Sequence, residues 1–259
     1  MNKKQVTSMQ NPSIKLVKEL LKKKAARKKQ GLFVIEGIRA VKEIPSHIDI
    51  QTLLVSESVE KHIEESILAK EILVLPDSLF AQISETESPQ GIMAVVKRVD
   101  CQLETFRFEQ GNYLVLENLQ DPGNLGTIIR TAHAFNFKGI LMTKGCVDLY
   151  SPKVVRSTMS SLFYMPIVVD GEIEAYFSRL KKEDVKIYTT ALKETSKWVY
   201  EVNFASKMAL VIGNEGNGVS EYCLEHTDET IMIPMPGGAE SLNASVATAV
   251  CMYEIIRKK

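Results

Sequence analysis

The sequence predicts an α/β protein made of two successive α/β domains, and three observations carry that reading. Short apolar runs of strand length alternate with segments of helical spacing from residue 33 onward, the alternation stops over residues 98–112 (RVDCQLETFRFEQGN), and it resumes at residue 113. A chain of 259 residues, 45% hydrophobic and 25% charged, has the make-up of a folded protein with core enough for one large domain or two ordinary ones.

In chain order, residues 15–29 (KLVKELLKKKAARKK) set eight Lys or Arg against the single acid Glu19, with Leu16, Leu20 and Leu21 at helical spacing. This predicts a basic amphipathic helix within an N-terminal arm of residues 1–30. Two readings stay open for it, a solvated face and a phosphate-contacting surface. From Phe33, the runs FVIEG, IQTLLVS, EILVL and GIMAVVK read as strands, with IRAVKEI, SVEKHIEESILA and DSLFAQIS as the helices between them. Residues 31–100 are therefore expected as a first domain and 101–112 as a linker. Over residues 113–259, the runs YLVLEN, GILMT, PIVV, KIYTTA, MALVIG and TIMIPM predict a mainly parallel sheet covered on both faces. Ligands of such sheets sit at the C-terminal strand ends.

Three loops at strand ends hold the chemistry-bearing residues. The first, QDPGNLGTIIRTAHAF, has a turn at Asp121, Pro122 and Gly123, Asn124 as a cap, and Arg130 off the apolar stripe of the helix that follows. The second, GNEGNGVS, is glycine-rich but ordered G-x-x-G-x-G, and Glu215 would repel a pyrophosphate, which argues against a dinucleotide fingerprint. An acid there meets a cation or orients a donor. The third, MPGGAESLNASVATA, offers Ser241 as N-cap and Asn243 in the first turn with an amide free to donate and accept. The helix beyond it is apolar on nearly every side, so its outer face is expected to be covered by a second subunit.

Some function classes are excluded. Formal net charge is zero, which argues against a generic polyanion binder. Cys101, Cys146, Cys223 and Cys251 stand apart from one another, so reduced packing residues are expected and no metal centre. No run approaches the ~20 apolar residues of a membrane span, and MNKKQVTSMQNPS lacks a signal-peptide core. The expected location is cytoplasmic.

Taken together, NLQDPGNLGTIIRTA, ALVIGNEGNGVS and IMIPMPGGAESLNASVA resemble the three ordered motifs of the SpoU/TrmH family of the SPOUT superfamily, over residues 113–257. The segment from FVIEGIRAVKEI to SPQGIMAVV is similar to the substrate-binding domain of rRNA-directed members, a small ribosomal-protein-like α/β fold. The resemblance implies a trefoil-knotted catalytic domain, S-adenosyl-L-methionine as cofactor, and 2′-O-methylation of a ribose in RNA, with 23S-type ribosomal RNA as substrate. The alternatives are a tRNA 2′-O-methyltransferase, a resistance-conferring rRNA methyltransferase and a non-catalytic RNA-binding protein. It further implies cofactor contacts at Gly213, Gly218, Ile233, Met235 and Leu242, and catalytic roles for Arg130, Asn124, Glu215, Ser241 and Asn243. Arg130 matches the arginine that acts on the 2′-hydroxyl, as a base or as a fixed cation stabilising the developing alkoxide. Two departures are small-for-small: Ser160 stands where the family often has Gly, and Ala244 where it often has Val.

Overall fold

In the computed structural model, which describes residues 2–62 and 67–258, the first alternation becomes a five-stranded mixed sheet. Its elements are β1 (Asn2–Gln5), α1 (Pro12–Lys22), α2 (Lys24–Gln30), β2 (Leu32–Glu36), α3 (Ile38–Lys42), β3 (Ile50–Ser56), α4 (Glu57–Glu60), β4 (Ala69–Leu75), α5 (Asp77–Ile83) and β5 (Ile92–Lys97). The strand order is β1-β4-β3-β5-β2, with β1 and β3 parallel to β4 and with β5 antiparallel to both β2 and β3. β1 lies outside the expected strands. Among the described residues of the helix expected over residues 58–69, Ser58–Glu60 lie in α4 and Ala69 belongs to β4; Ile63–Ser66 lie outside the described residues.

The basic run is two helices rather than one. Asn11 caps α1 by accepting from the Ser13 amide at 2.9 Å, and Pro12 occupies the first turn, where its missing N–H costs nothing. Lys23 is extended at φ −118° and ψ 115°, which breaks the helix. One face of α1, Ile14, Val17, Leu20 and Leu21, is buried in the core with Val34, Leu54, Leu73, Phe80 and Met93. At about 1.5–3 kcal/mol per buried aliphatic side chain, that face anchors residues 12–22 to the sheet, so they are part of this unit and not a free arm. Arg27 is also no surface cation. It is 5% exposed, and its guanidinium donates to the Leu20 and Leu21 carbonyls, satisfying last-turn acceptors of α1.

The second alternation contains β6 (Asn112–Leu116), α6 (Pro122–Ala134), β7 (Gly139–Thr143), α7 (Pro152–Ser157), β8 (Ile167–Gly171), α8 (Ile173–Lys182), β9 (Lys186–Thr190), β10 (Lys197–Trp198), β11 (Met208–Ile212), α9 (Glu221–His226), β12 (Glu229–Met232) and α10 (Ala244–Arg257). Seven strands in the order β10-β12-β9-β11-β6-β7-β8 are all parallel. β6, β7 and β11 are buried at every position, as strands covered on both faces must be. The six expected strands are present, and β10 joins them.

Two compact units result, and their borders differ from the expected ones. The first runs to Val99 and also takes in Tyr150–Phe163; the second holds Asp100–Leu149 and the chain from Tyr164 onward. In the first unit, Phe33 of β2 packs on Tyr150 at 4.6 Å between ring centroids and on Phe163 at 6.4 Å, and Arg98 lies over the Tyr150 ring. Ser160 belongs here too. Its φ of +66° is the left-handed backbone that favours glycine, and its hydroxyl donates to Glu43 at 2.6 Å. The expected linker is packed rather than loose: Phe106, Phe108 and Tyr113 cluster in the core of the second unit, with Phe106–Phe108 centroids at 4.9 Å and Phe108–Tyr113 at 5.0 Å.

Candidate active site

Because β6, β11, β9 and β12 are parallel neighbours, the segments that follow them emerge at one edge of the sheet. There a chain of polar contacts joins the three loops. The Glu215 carboxylate, in the loop after β11, accepts from the Gln120 and Asp121 amides at 3.2 and 3.0 Å and from Asn124 Nδ2 at 3.2 Å. Asn124 Oδ1 in turn accepts from Asn243 Nδ2 at 2.9 Å. Asn243 Oδ1 accepts from the Ser245 and Val246 amides at 3.0 and 3.2 Å, at the head of α10. Burial alone would raise the Glu215 carboxyl, but the donated hydrogen bonds outweigh it and hold it below the ordinary glutamate value. Of the two roles the sequence left open for this acid, the structure selects orientation of donors.

Two cap assignments are corrected. Asp121, not Asn124, caps α6, accepting from the Asn124 amide at 2.7 Å, while Asn124 sits 7% exposed inside the first turn. Asn243, not Ser241, caps α10. Each asparagine therefore uses its Oδ1 and one of its two amide N–H donors to hold the loops and helix starts together.

Beside this chain lies a cleft of about 430 Å³, lined by residues that follow β9, β11 and β12. Gly218, Ile233, Met235, Ser241 and Leu242, all singled out from the sequence, line it. Gly213 does not line it. A Cβ at Gly213 would lie 2.2 Å from the Gly218 carbonyl carbon and 2.4 Å from the Val219 nitrogen, so this glycine lets the second loop fold back on itself. Asn214 closes that loop: its backbone exchanges hydrogen bonds with Gly218, and its Oδ1 accepts from the Gly216 and Asn217 amides. Gly218 has φ +68° and open space where a side chain would be. Thr190–Lys193, after β9, also line the cleft and were missed; the strand-end rule pointed to that edge but to no residue there.

Arg130 lies on α6, six residues beyond Asn124, exposed and without a hydrogen bond or ion pair among the described residues. Cys251 lines the cleft from α10, and burial pushes its thiol up to about 12, so it is an inert packing group. All four cysteines are free. Among the described residues no cluster of three or more His, Cys, Asp or Glu is placed to hold a metal ion, and no helix is long and apolar enough to cross a membrane. The outer face of α10 leaves Val246, Val250 and Tyr253 exposed at 50%, 37% and 54%.

Residues 111–253 match the SpoU rRNA Methylase family, and residues 11–94 match the MRM3-like substrate binding domain. The chain is 36% identical over 255 residues to the 23S rRNA (guanosine(2553)-2′-O)-methyltransferase RlmP of Bacillus subtilis, covering 97% of this chain and 99% of that one. Among solved structures, the AdoMet-bound rRNA methyltransferase from Sinorhizobium meliloti superposes with a TM-score of 0.88 at 28% identity, covering 98% of each chain. The SpoU methyltransferase AviRb from Streptomyces viridochromogenes, in complex with AdoMet, gives 0.86 at 26% identity, covering 96% of this chain and 98% of that one.

Proposed function

The chain belongs to the SpoU rRNA methylase family, and from that premise we propose that it methylates the 2′-hydroxyl of a ribose in 23S-type ribosomal RNA, with S-adenosylmethionine as methyl donor. The observation that carries the proposal is the contact chain Glu215–Asn124–Asn243, which ties three strand-end loops together beside a cleft. The cleft fits the donor. Leu224, Ile231, Ile233, Met235, Leu242 and Ala247 give apolar walls suited to a purine, and Gly216 and Gly218 let backbone groups approach its edge. Bound there, S-adenosylmethionine supplies an already electrophilic methyl group.

The chain's own residues have two tasks. Glu215, Asn124 and Asn243 are positioning residues that fix the second and third loops as walls of the cleft, which is where alignment of the reacting atoms gains rate. Arg130 meets the ribose oxygen. A guanidinium stays protonated at physiological pH, so its role is to stabilise negative charge as the hydroxyl proton leaves. Ser241 lines the cleft from the third loop.

Support for a large ribosomal RNA over tRNA comes from the first unit, which matches a substrate-binding domain and spans the full length of the RlmP relative along with the second. The exposed apolar face of α10 supports a homodimer, and an rRNA substrate is consistent with a cytoplasmic location. The test is to incubate the protein with unmodified 23S-type rRNA and methyl-labelled S-adenosylmethionine, then map the label. A single site resistant to alkaline cleavage is expected. Label on a base, or none in RNA, sinks the proposal.

A further inference from the structure

The second unit carries an exposed ring that neither its core nor the cleft explains. Tyr164, just before β8, is 55% exposed, yet its ring lies parallel to the imidazole of His133, with centroids 5.2 Å apart and 4° between planes. His133 sits on α6 three residues after Arg130, and both are exposed, so the stack rises from the helix face that presents the arginine. Tyr164 also borders a groove of about 640 Å³ whose charged side chains are Arg107 and Lys138 on one side of the balance and Asp100 and Glu109 on the other.

We propose that Tyr164, seated on His133, is a stacking platform for an unpaired base of the substrate RNA that flanks the target ribose; the inference rests on the RNA-methyltransferase reading above. Every base has a π-face, and an exposed ring held flat by a second ring is preorganised to receive one. The balanced charge of the adjoining groove means that stacking, not phosphate neutralisation, supplies the affinity at this point. A second copy of the chain is the competing occupant, and sedimentation of the variants tells the two apart.

The experiment measures binding and single-turnover methylation of an unmodified 23S-type rRNA transcript by Tyr164→Ala, Tyr164→Leu, Tyr164→Phe and Tyr164→Trp, with S-adenosylmethionine affinity and sedimentation recorded for each. Expected are a loss of RNA affinity of about tenfold or more for Ala and Leu, near wild-type affinity for Phe and Trp, and unchanged cofactor binding. The fold-loss should be the same at low and high salt, since no counterions are released by stacking. A leucine as good as the aromatics, or a loss that fades with salt, overturns the platform. So does a change in oligomeric state, which would give the surface to a second copy. If the wild-type chain does not bind rRNA at all, the underlying reading fails and this inference falls with it; if wild type binds and Tyr164→Ala binds equally well, only the platform fails.

Discussion

Replacing Asn124 by alanine tests the contact chain at its middle. Two hydrogen bonds vanish together: the one donated to the Glu215 carboxylate at 3.2 Å and the one accepted from Asn243 at 2.9 Å. A bond to a charged group contributes about 1.5–3 kcal/mol and a neutral one about 0.5–1.5 kcal/mol, and the length of the first puts it at the low end. The orphaned partners soften the loss. Glu215 keeps the Gln120 and Asp121 amides, and Asn243 keeps its cap of α10, its freed Nδ2 lying in a part-buried place that water reaches. The expected cost is about 2–3 kcal/mol. It should appear less as global unfolding than as loosening of the second and third loops, because β6, β11 and the core beneath them are untouched. Calorimetric titration with S-adenosylmethionine should therefore show affinity falling roughly tenfold to a hundredfold, with a much smaller shift of the denaturant midpoint. Unchanged cofactor affinity in a folded Asn124→Ala protein would refute the idea that this chain sets the walls of the cleft.

Four further outcomes are expected. Gly213→Ala drives a Cβ to 2.2 Å from the backbone of Gly218, which cannot swing aside, so it should destabilise by about 1–3 kcal/mol and weaken cofactor binding; a stable variant with normal binding contradicts the loop-closure role. Glu215 has its pKa lowered in the fold, so its contribution is fully present above the ordinary carboxyl value of about 4.3 and is lost as pH falls through the lowered one. An acid titration of cofactor binding should show that step in wild type, and its persistence in Glu215→Gln would assign it elsewhere. Arg130→Ala should lower methyl transfer by ~10²-fold or more with cofactor affinity intact, Arg130→Lys separating charge from geometry; a wild-type rate, or a defect in cofactor binding alone, removes the arginine from the chemistry. Val250→Lys or Tyr253→Asp should give monomers or insoluble protein, and a wild-type chain sedimenting as a monomer at micromolar concentration would dispose of the dimer.

The strands were legible because their apolar runs are long enough to be buried on both faces, as MALVI and YLVL are. β1 and β10 were not: NKKQ and KW have no such run, and their place is set by the backbone of β4 and β12 beside them. At the site, residue types were readable and their duties less so. Asp121 and Asn124 are both good caps three residues apart, and only Pro122 in the first turn marks the former, a signal the sequence contained. For Ser241 and Asn243 no such marker exists, and the contact with Asn124 from 119 residues away decides. Long-range partners of this kind, like the Gly218 backbone that excludes a side chain at Gly213, leave no local trace.

Tyr150–Phe163 makes the two halves of this chain unequal as exchangeable parts. Phe33, Arg98 and Glu43 find partners in that segment, although some 50 residues of the other unit intervene before it. A hybrid enzyme joined at Val99 would carry a substrate-binding unit stripped of Tyr150, α7 and Phe163, and would oblige it to accept a stranger's version of them. The first unit is therefore written in two separate stretches of gene, and moving it intact into another chain has to move both.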